Sequence, residues 1–229
     1  MSPRIAILLD ENTSEGGTRY ELGKNYVEAI ARAGGQPFGL FFTPAQLKSA
    51  AREFDGLLCP GGRFTYPDDF YAQDLVSNSP PSDRFETERQ LVEDFLALDK
   101  PVLGMCAGMQ LLACVRGAKM TPDLVKTEQV ARHDGPEIRH PIDIVPDTKL
   151  AAITSLESLD VNSFHREALV WCPDEVVISA RAPDGIIEAI ELRDYKFAIG
   201  LQWHQEKFQA EIHPGNAIFD AFIAACTRA

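Results

Sequence analysis

The stretch Lys100-Pro-Val-Leu-Gly-Met-Cys106-Ala-Gly-Met-Gln-Leu-Leu112 decides how the rest of this chain is read. Pro101 to Met105 is a short apolar run, the pattern of a strand buried on both faces of a parallel sheet, and it stops at Cys106. Ala107 and Gly108 follow at once, and Met109 to Val115 is an apolar helical segment. The pattern predicts strand, sharp turn and helix, with a thiol at the apex. A residue at such a turn is pushed into a strained conformation, and Gly104 and Gly108 let neighbouring backbone come close. Cys106 then projects from the carboxyl end of the sheet, where open α/β folds place ligands, beside a helix N-terminus that favours thiolate. Two readings of Cys106 stand at this point: a nucleophile, and a small buried apolar residue of the kind most free cysteines are.

Outward from this stretch the first half alternates strand and helix. Arg4 to Leu9 reads as a buried strand, Asp10 to Gly17 as a polar loop, and Asn25 to Ala33 as a helix ended by Gly34-Gly35. Pro37 to Phe42 is a second strand, and Thr43-Pro44 starts a helix to about Phe54. Gly56 to Cys59 is a third strand that ends at Pro60-Gly61-Gly62. Arg63 to Pro81 reads as a long loop, and Ser82 or Asp83 caps a helix to about Leu98. Such alternation implies parallel strands joined by right-handed crossovers. After Gly117 the pattern changes. Pro141–Val145, Val176–Ala180, Ile186–Leu192 and Phe197–Trp203 are strand-like, with the turn Ala182-Pro-Asp-Gly185 marking a locally antiparallel region, and Asn216 to Cys226 is a closing amphipathic helix. No repeat or linker interrupts the chain, so residues 1–229 are expected to form a single domain.

Composition narrows the function classes. A net charge of −12 argues against a nucleic-acid surface and against anionic lipid. Five cysteines at irregular spacing, without a Cys-x-x-Cys pair, fit free thiols in a reducing compartment. With no secretory hydrophobic region and no apolar run near membrane-spanning length, a cytoplasmic location is expected. No metal-spaced ligand set, P-loop or dinucleotide fingerprint is present, so neither metal nor cofactor is expected.

A cysteine nucleophile needs a base, and the base an orienting group. Of the five histidines, His133 and His140 flank Asp134-Gly-Pro136 and read as solvated loop residues, while His213 reads as a cap before the last helix. His165, closing Val161-Asn-Ser-Phe-His165, lines a pocket or fills a polar turn. His204 ends an apolar strand as Cys106 ends its own, so parallel pairing brings both to one sheet edge, and Glu206 stands two residues on, within reach of the imidazole. The amides of Gly61, Gly62 and Ala107 are the candidate donors for a developing oxyanion.

These residues resemble a known family. Gly104-Met-Cys106-Ala-Gly-Met-Gln110 with Gly200-Leu-Gln-Trp-His204-Gln-Glu206 resembles the class I glutamine amidotransferases, and Pro60-Gly61-Gly62 is similar to their oxyanion loop. Within that superfamily, Val161-Asn-Ser-Phe-His165 and Asp184-Gly-Ile-Ile-Glu-Ala189 look like the γ-glutamyl hydrolase branch, especially the γ-glutamyl-γ-aminobutyrate hydrolases. The resemblance implies a flavodoxin-like α/β sandwich with a mostly parallel sheet and a small antiparallel extension. It also implies a Cys-His-Glu triad of Cys106, His204 and Glu206 that hydrolyses a small γ-glutamyl amide through a thioester. Gln110 and the backbone of Ser163 and Phe164 are then expected at the glutamyl group, with His165 beside them, and the other pocket walls from Asn12–Tyr20 and Arg63–Tyr71.

Two departures stand out. The usual His-Pro-Glu is here His204-Gln205-Glu206, which drops a rigid linker, and the residue after the nucleophile, often arginine in this branch, is Ala107. Two other readings are a glutaminase subunit feeding ammonia to a separate synthase partner, and a non-catalytic binder of a γ-glutamyl metabolite. Relatives are often homodimers, which makes a homodimer one expected state.

Overall fold

A computed structural model describes residues 1–12 and 18–227 of the chain. The first strand, β1 (Arg4–Leu8), alternates its buried side chains, sending Ala6 and Leu8 to one face and Ile5 and Ile7 to the other. A two-residue ribbon of β2 (Asp10–Glu11) and β3 (Tyr20–Glu21) follows it. The polar loop expected over 10–17 is thus shorter at its start, and 13–17 lie outside the described residues. Helix α1 (Lys24–Arg32) buries Tyr26, Ala29 and Ile30, and Gly34, at φ 90°, reverses the chain into β4 (Gln36–Leu40). Next come α2 (Pro44–Glu53), β5 (Gly56–Cys59) and the long connection to α3 (Arg84–Ala97), where the Ser82 hydroxyl accepts the Arg84 N–H at 3.0 Å. The chain then runs into β6 (Val102–Met105) and α4 (Ala107–Cys114).

The second half supplies β7 (Lys119–Thr121), β8 (Asp134–Ile144), α5 (Lys149–Thr154), β9 (Ser158–Phe164) and β10 (Ala168–Trp171). It ends with β11 (Val176–Arg181), β12 (Ile187–Leu192), β13 (Ala198–Leu201) and α6 (Ala217–Cys226). Among the described residues one nine-stranded sheet runs β4-β1-β5-β6-β13-β12-β11-β8-β9. Pairing is parallel from β4 to β13 and antiparallel beyond it. The fold is the flavodoxin-like α/β arrangement that the resemblance implies. Helices α2, α3 and α4 cover one face through Ala50, Phe95 and Leu111, and α1, α5 and α6 cover the other through Ile30, Leu150 and Phe222. Each large aliphatic or aromatic side chain so buried contributes about 1.5–3 kcal/mol of transfer free energy. Among the described residues no helix is long and apolar enough to cross a membrane.

One expectation fails here. The segment around His133 and His140 is not a solvated loop: β8 begins at Asp134, absorbs Gly135-Pro136 in a register shift, and continues through His140. Glycine and proline read as turn signals, but a bulge accommodates both within a strand.

Two glycines set how tightly the central strands and helix meet. A Cβ on Gly108 would lie 2.3 Å from the Cys59 carbonyl oxygen, and one on Gly104 would lie 2.6 Å from the Gly108 carbonyl carbon. Both obstacles are backbone, so neither side can rotate away. Gly108→Ala is expected to lower the unfolding free energy by about 2–4 kcal/mol, measured by urea denaturation. An unchanged midpoint would show that α4 does not depend on this close approach.

Candidate active site

Parallel pairing of β6 with β13 sets Met105 beside Leu201, and both strands end at the same edge. Cys106 caps α4 with φ 50° and ψ −104°, a conformation that residues other than glycine avoid. Two backbone hydrogen bonds hold it there, from its own N–H to Leu201 O at 2.7 Å and from Gln110 N–H to its carbonyl at 3.1 Å. The strain is therefore imposed by the sheet on one side and the helix on the other. Ala107 begins α4, so its N–H belongs to the first turn, whose donors have no intrahelical partner.

His204 is fixed by its backbone and its ring. Asn162 of β9 donates to the His204 carbonyl and accepts its N–H, both at 2.9 Å. The His204 Nδ1 lies 2.7 Å from Glu206 Oε1, with the carboxylate almost wholly buried. Burial pushes the imidazole pKa down, but the Glu206 charge and hydrogen bonding to the Cys106 side chain outweigh it and push the value up to about 10. The ring accordingly keeps its proton through neutral pH. The Phe164 ring stands edge-on to it at 5.6 Å.

Gln205, which replaces the rigid residue expected between His204 and Glu206, is itself fully buried and bonded on every side. Its Oε1 accepts the Trp203 indole N–H at 2.8 Å, and its Nε2 donates to His213 Nδ1 at 3.1 Å and Asn216 Oδ1 at 2.9 Å. Hydrogen bonds thus do here what a proline ring does by covalent constraint. His213 also accepts the Gly215 N–H at 3.2 Å, the capping role its position suggests.

The 60–62 turn sits over the same edge, and a buried ion pair holds it. Arg84, fully buried, binds both oxygens of Glu88 at 2.9 Å and donates to the carbonyls of Pro60 at 2.5 Å and Gly61 at 3.0 Å. Asp10 adds a contact to the guanidinium at 3.2 Å. Burial pushes Glu88 above the usual carboxylate range, and Arg84 pulls against that shift. The Gly61 N–H donates to the Tyr26 hydroxyl at 2.9 Å, and that hydroxyl lies 3.4 Å from His204 Nδ1. Gly61 therefore faces the imidazole side, while Gly62 lines the cavity into which Cys106 opens.

Gln110, Phe164 and His165 line that cavity too, as do Arg63, Phe64 and Tyr66 from the expected loop wall. The wall expected from residues 12–20 rests on 13–17, outside the described residues. Gln110 Nε2 donates to Glu167 O at 2.8 Å and Gln202 Oε1 at 3.1 Å. The Ser163 hydroxyl turns instead toward His133 Nδ1, 3.3 Å away. His133, His140 and His165 come together around Glu188, a grouping that spacing in the sequence does not signal.

A cysteine at a strained strand-to-helix turn that opens into a cavity, with a carboxylate-bound histidine at the same edge, suits nucleophilic attack on a carbonyl. The model of the family described as peptidase C26 matches residues 4–206. The chain belongs to the peptidase C26 family. Its relatives are consistent with that membership. A glutamine amidotransferase-like protein of Rickettsia prowazekii is 32% identical, over 82% of this chain and 83% of its own. A γ-glutamyl-γ-aminobutyrate hydrolase of Escherichia coli O157:H7 is 27% identical, over 98% of this chain and 94% of its own. Among solved structures, the glutaminase domain of a Trypanosoma brucei CTP synthase superposes with a TM-score of 0.67 at 16% identity, covering 98% of this chain and 94% of that one, a likeness of fold. The peptidase C26 chain is thus a glutamine amidotransferase-like hydrolase, an enzyme acting on amide bonds.

Sequence reasoning finds Cys106, His204 and Glu206 but not the residues that hold them. Asn162 and Tyr26 act from distant elements, and nothing in their local pattern points to His204. Arg84 and Glu88 have the i, i+4 spacing of an ordinary surface pair, and only the fold buries them. Arg84→Met leaves Glu88 buried without its partner and is expected to cost about 3–5 kcal/mol in urea denaturation. Arg84→Met with Glu88→Leu is expected to recover much of it. Equal stability of the single variant and the wild type would contradict a structural role for the pair.

Proposed function

We propose that Cys106, His204 and Glu206 form a catalytic triad that hydrolyses the γ-glutamyl amide bond of a small metabolite, of the γ-glutamyl-γ-aminobutyrate kind. The observation that carries this reading is the His204 imidazole, bound to Glu206 Oε1 at 2.7 Å, at the same sheet edge as the strained Cys106. The Cys106 sulfur attacks the γ-carbonyl carbon, and the carbonyl π electrons move to oxygen. The oxyanion meets the N–H groups of Gly62 and Ala107, a narrower set than the sequence suggests, because the Gly61 N–H is taken by Tyr26. His204 gives its proton to the leaving nitrogen as the C–N bond breaks, and the amine departs from a glutamyl thioester. Water then attacks the thioester, His204 takes its proton, and glutamate leaves as the sulfur is released. Glu206 keeps the imidazole oriented through both half-reactions. No step in this sequence calls on a cofactor.

The cavity suits a substrate that carries both charges of an α-amino acid. Arg63, Lys126 and Arg166 supply cationic groups for an α-carboxylate, and Glu167 and Asp123 lie among them. Gln110 offers its amide oxygen to an α-ammonium group, and the Phe164 and His165 segment forms the opposite wall. The partner is then a free small molecule.

A panel of glutamine, γ-glutamyl-γ-aminobutyrate, γ-glutamyl amino acids and a short polyglutamate tests this, with glutamate and free amine both measured. At least one member other than glutamine is expected to be cleaved, with Cys106→Ser lowering turnover by roughly 10³-fold or more. Full activity of the variant would overturn the triad. Hydrolysis of glutamine alone, rising when a synthase is added, would favour an ammonia-supplying subunit, and tight binding without turnover would favour a binder.

A further inference from the structure

Behind the wall of the cavity, three histidines from separate parts of the chain converge on one carboxylate oxygen. His133 Nδ1 lies 3.4 Å, His165 Nε2 3.4 Å and His140 Nε2 3.7 Å from Glu188 Oε1. Glu188 is wholly buried, and His133 and His165 nearly so. In each ring the other nitrogen already faces an acceptor. His133 Nε2 lies 3.0 Å from Asp184 Oδ2, His140 Nδ1 3.1 Å from Pro141 O, and His165 Nδ1 3.1 Å from Glu167 O. A carbonyl or carboxylate oxygen can only accept, so those outer nitrogens carry the hydrogens. The inner nitrogens are left as lone pairs aimed at an anion, and of the three only His133 Nδ1 has another partner among the described residues, the Ser163 hydroxyl at 3.3 Å.

Three lone pairs facing a carboxylate in a buried space repel one another unless a cation lies between them. The distances distinguish the two cations that chemistry offers. A protonated imidazole on a carboxylate closes to about 2.7–2.9 Å. Donors about 2.0–2.1 Å from a tetrahedral ion stand about 3.4 Å from one another. The 3.4 Å from His133 Nδ1 to Glu188 Oε1 is the separation of the second geometry and not of the first. His140 Nε2, His165 Nε2 and both Glu188 oxygens have no hydrogen-bond partner among the described residues, although all are buried. The ligand atoms of His133, His140 and Glu188 lie within 4.8 Å of one another.

We propose that His133, His140 and Glu188 bind one divalent transition-metal ion of the zinc type in a structural site, with His165 packed against the same carboxylate. Imidazole nitrogen and carboxylate oxygen suit such an ion, and no thiolate takes part. Asp184 and Pro141 O form its outer shell, the carboxylate–histidine arrangement that fixes ring orientation in metal sites. The ion ties β8 to β12, and His165 at the end of β9 leans on the same Glu188 oxygen. That matters for the catalytic edge, because β9 also carries Asn162, which clamps His204, and Glu167 O also holds Gln110. The site lies behind the cavity and supplies rigidity to that wall.

The test uses the full untagged chain, purified without chelator and assayed for metal by mass spectrometry. About one zinc-type ion per chain is expected. After stripping, Co²⁺ titration is expected to restore the thermal midpoint and give the visible bands of a four-coordinate ion without intense thiolate charge transfer. Cys106→Ser is expected to keep the metal, while His140→Ala, at the least buried ligand, is expected to weaken binding tenfold or more. Glu188→Gln provides a second, near-isosteric check should the first variant fold poorly. A chain that is metal-free as purified and shows no response to Zn²⁺ or Co²⁺ would overturn the site. So would metal that disappears in Cys106→Ser, since that places the ion at the cysteine.

Discussion

The parallel pairing of β6 with β13 is the constraint on which the rest depends. It closes with the hydrogen bond from Cys106 N–H to Leu201 O at 2.7 Å, one bond beyond the last paired residues. That bond ends one strand at the thiol and leaves the other to turn at His204. It also fixes the backbone of Cys106 in a strained conformation that only a rigid surround sustains. Gly104 in β6 and Gly108 in α4 serve the same end, since they let the helix approach closely enough to accept the turn.

Around this edge the protein spends buried polar groups in quantity. Arg84 and Glu88 neutralise each other inside the α3 face while the guanidinium grips the carbonyls of the 60–62 turn. Asn162 makes a two-bond clamp on His204, and Gln205 links Trp203, His213 and Asn216. Each is satisfied by specific partners, the condition under which buried polarity rigidifies rather than destabilises. The site is therefore built from two layers: a few groups facing the cavity, and a larger set behind them that limits their freedom.

Much of the parallel half was legible in the sequence, because apolar runs, Gly-Gly stops and a Thr-Pro start are local signals. Cys106, His204 and Glu206 were legible for the same reason: each stands at or just past the end of an apolar strand, and the parallel arrangement carries that position to a shared edge. The antiparallel half was less so. β7 and α5 are short, and β8 contains Gly135-Pro136, which reads as a turn until tertiary pairing absorbs it in a bulge. The expected roles of His133 and His140 fell with that reading. Tyr26, Asn162 and Glu188 act across long sequence separations, where neither periodicity nor spacing carries information. The replacement of proline by Gln205 looked like a loss of constraint, and only its three hydrogen-bond partners show how the constraint is kept.

Glu206 and Cys106 together hold His204 charged in a buried place. The most direct measurement is a titration of the histidine ring nitrogens by NMR in ¹⁵N-histidine protein, with His204 assigned by its absence in His204→Asn. The His204 ring is expected to keep both protons through neutral pH and to release one only near pH 10, and at distinctly lower pH in Glu206→Gln, where the anion that raises it is gone. A His204 that titrates near 6.5 in the wild type, unmoved by the Glu206 substitution, would contradict it.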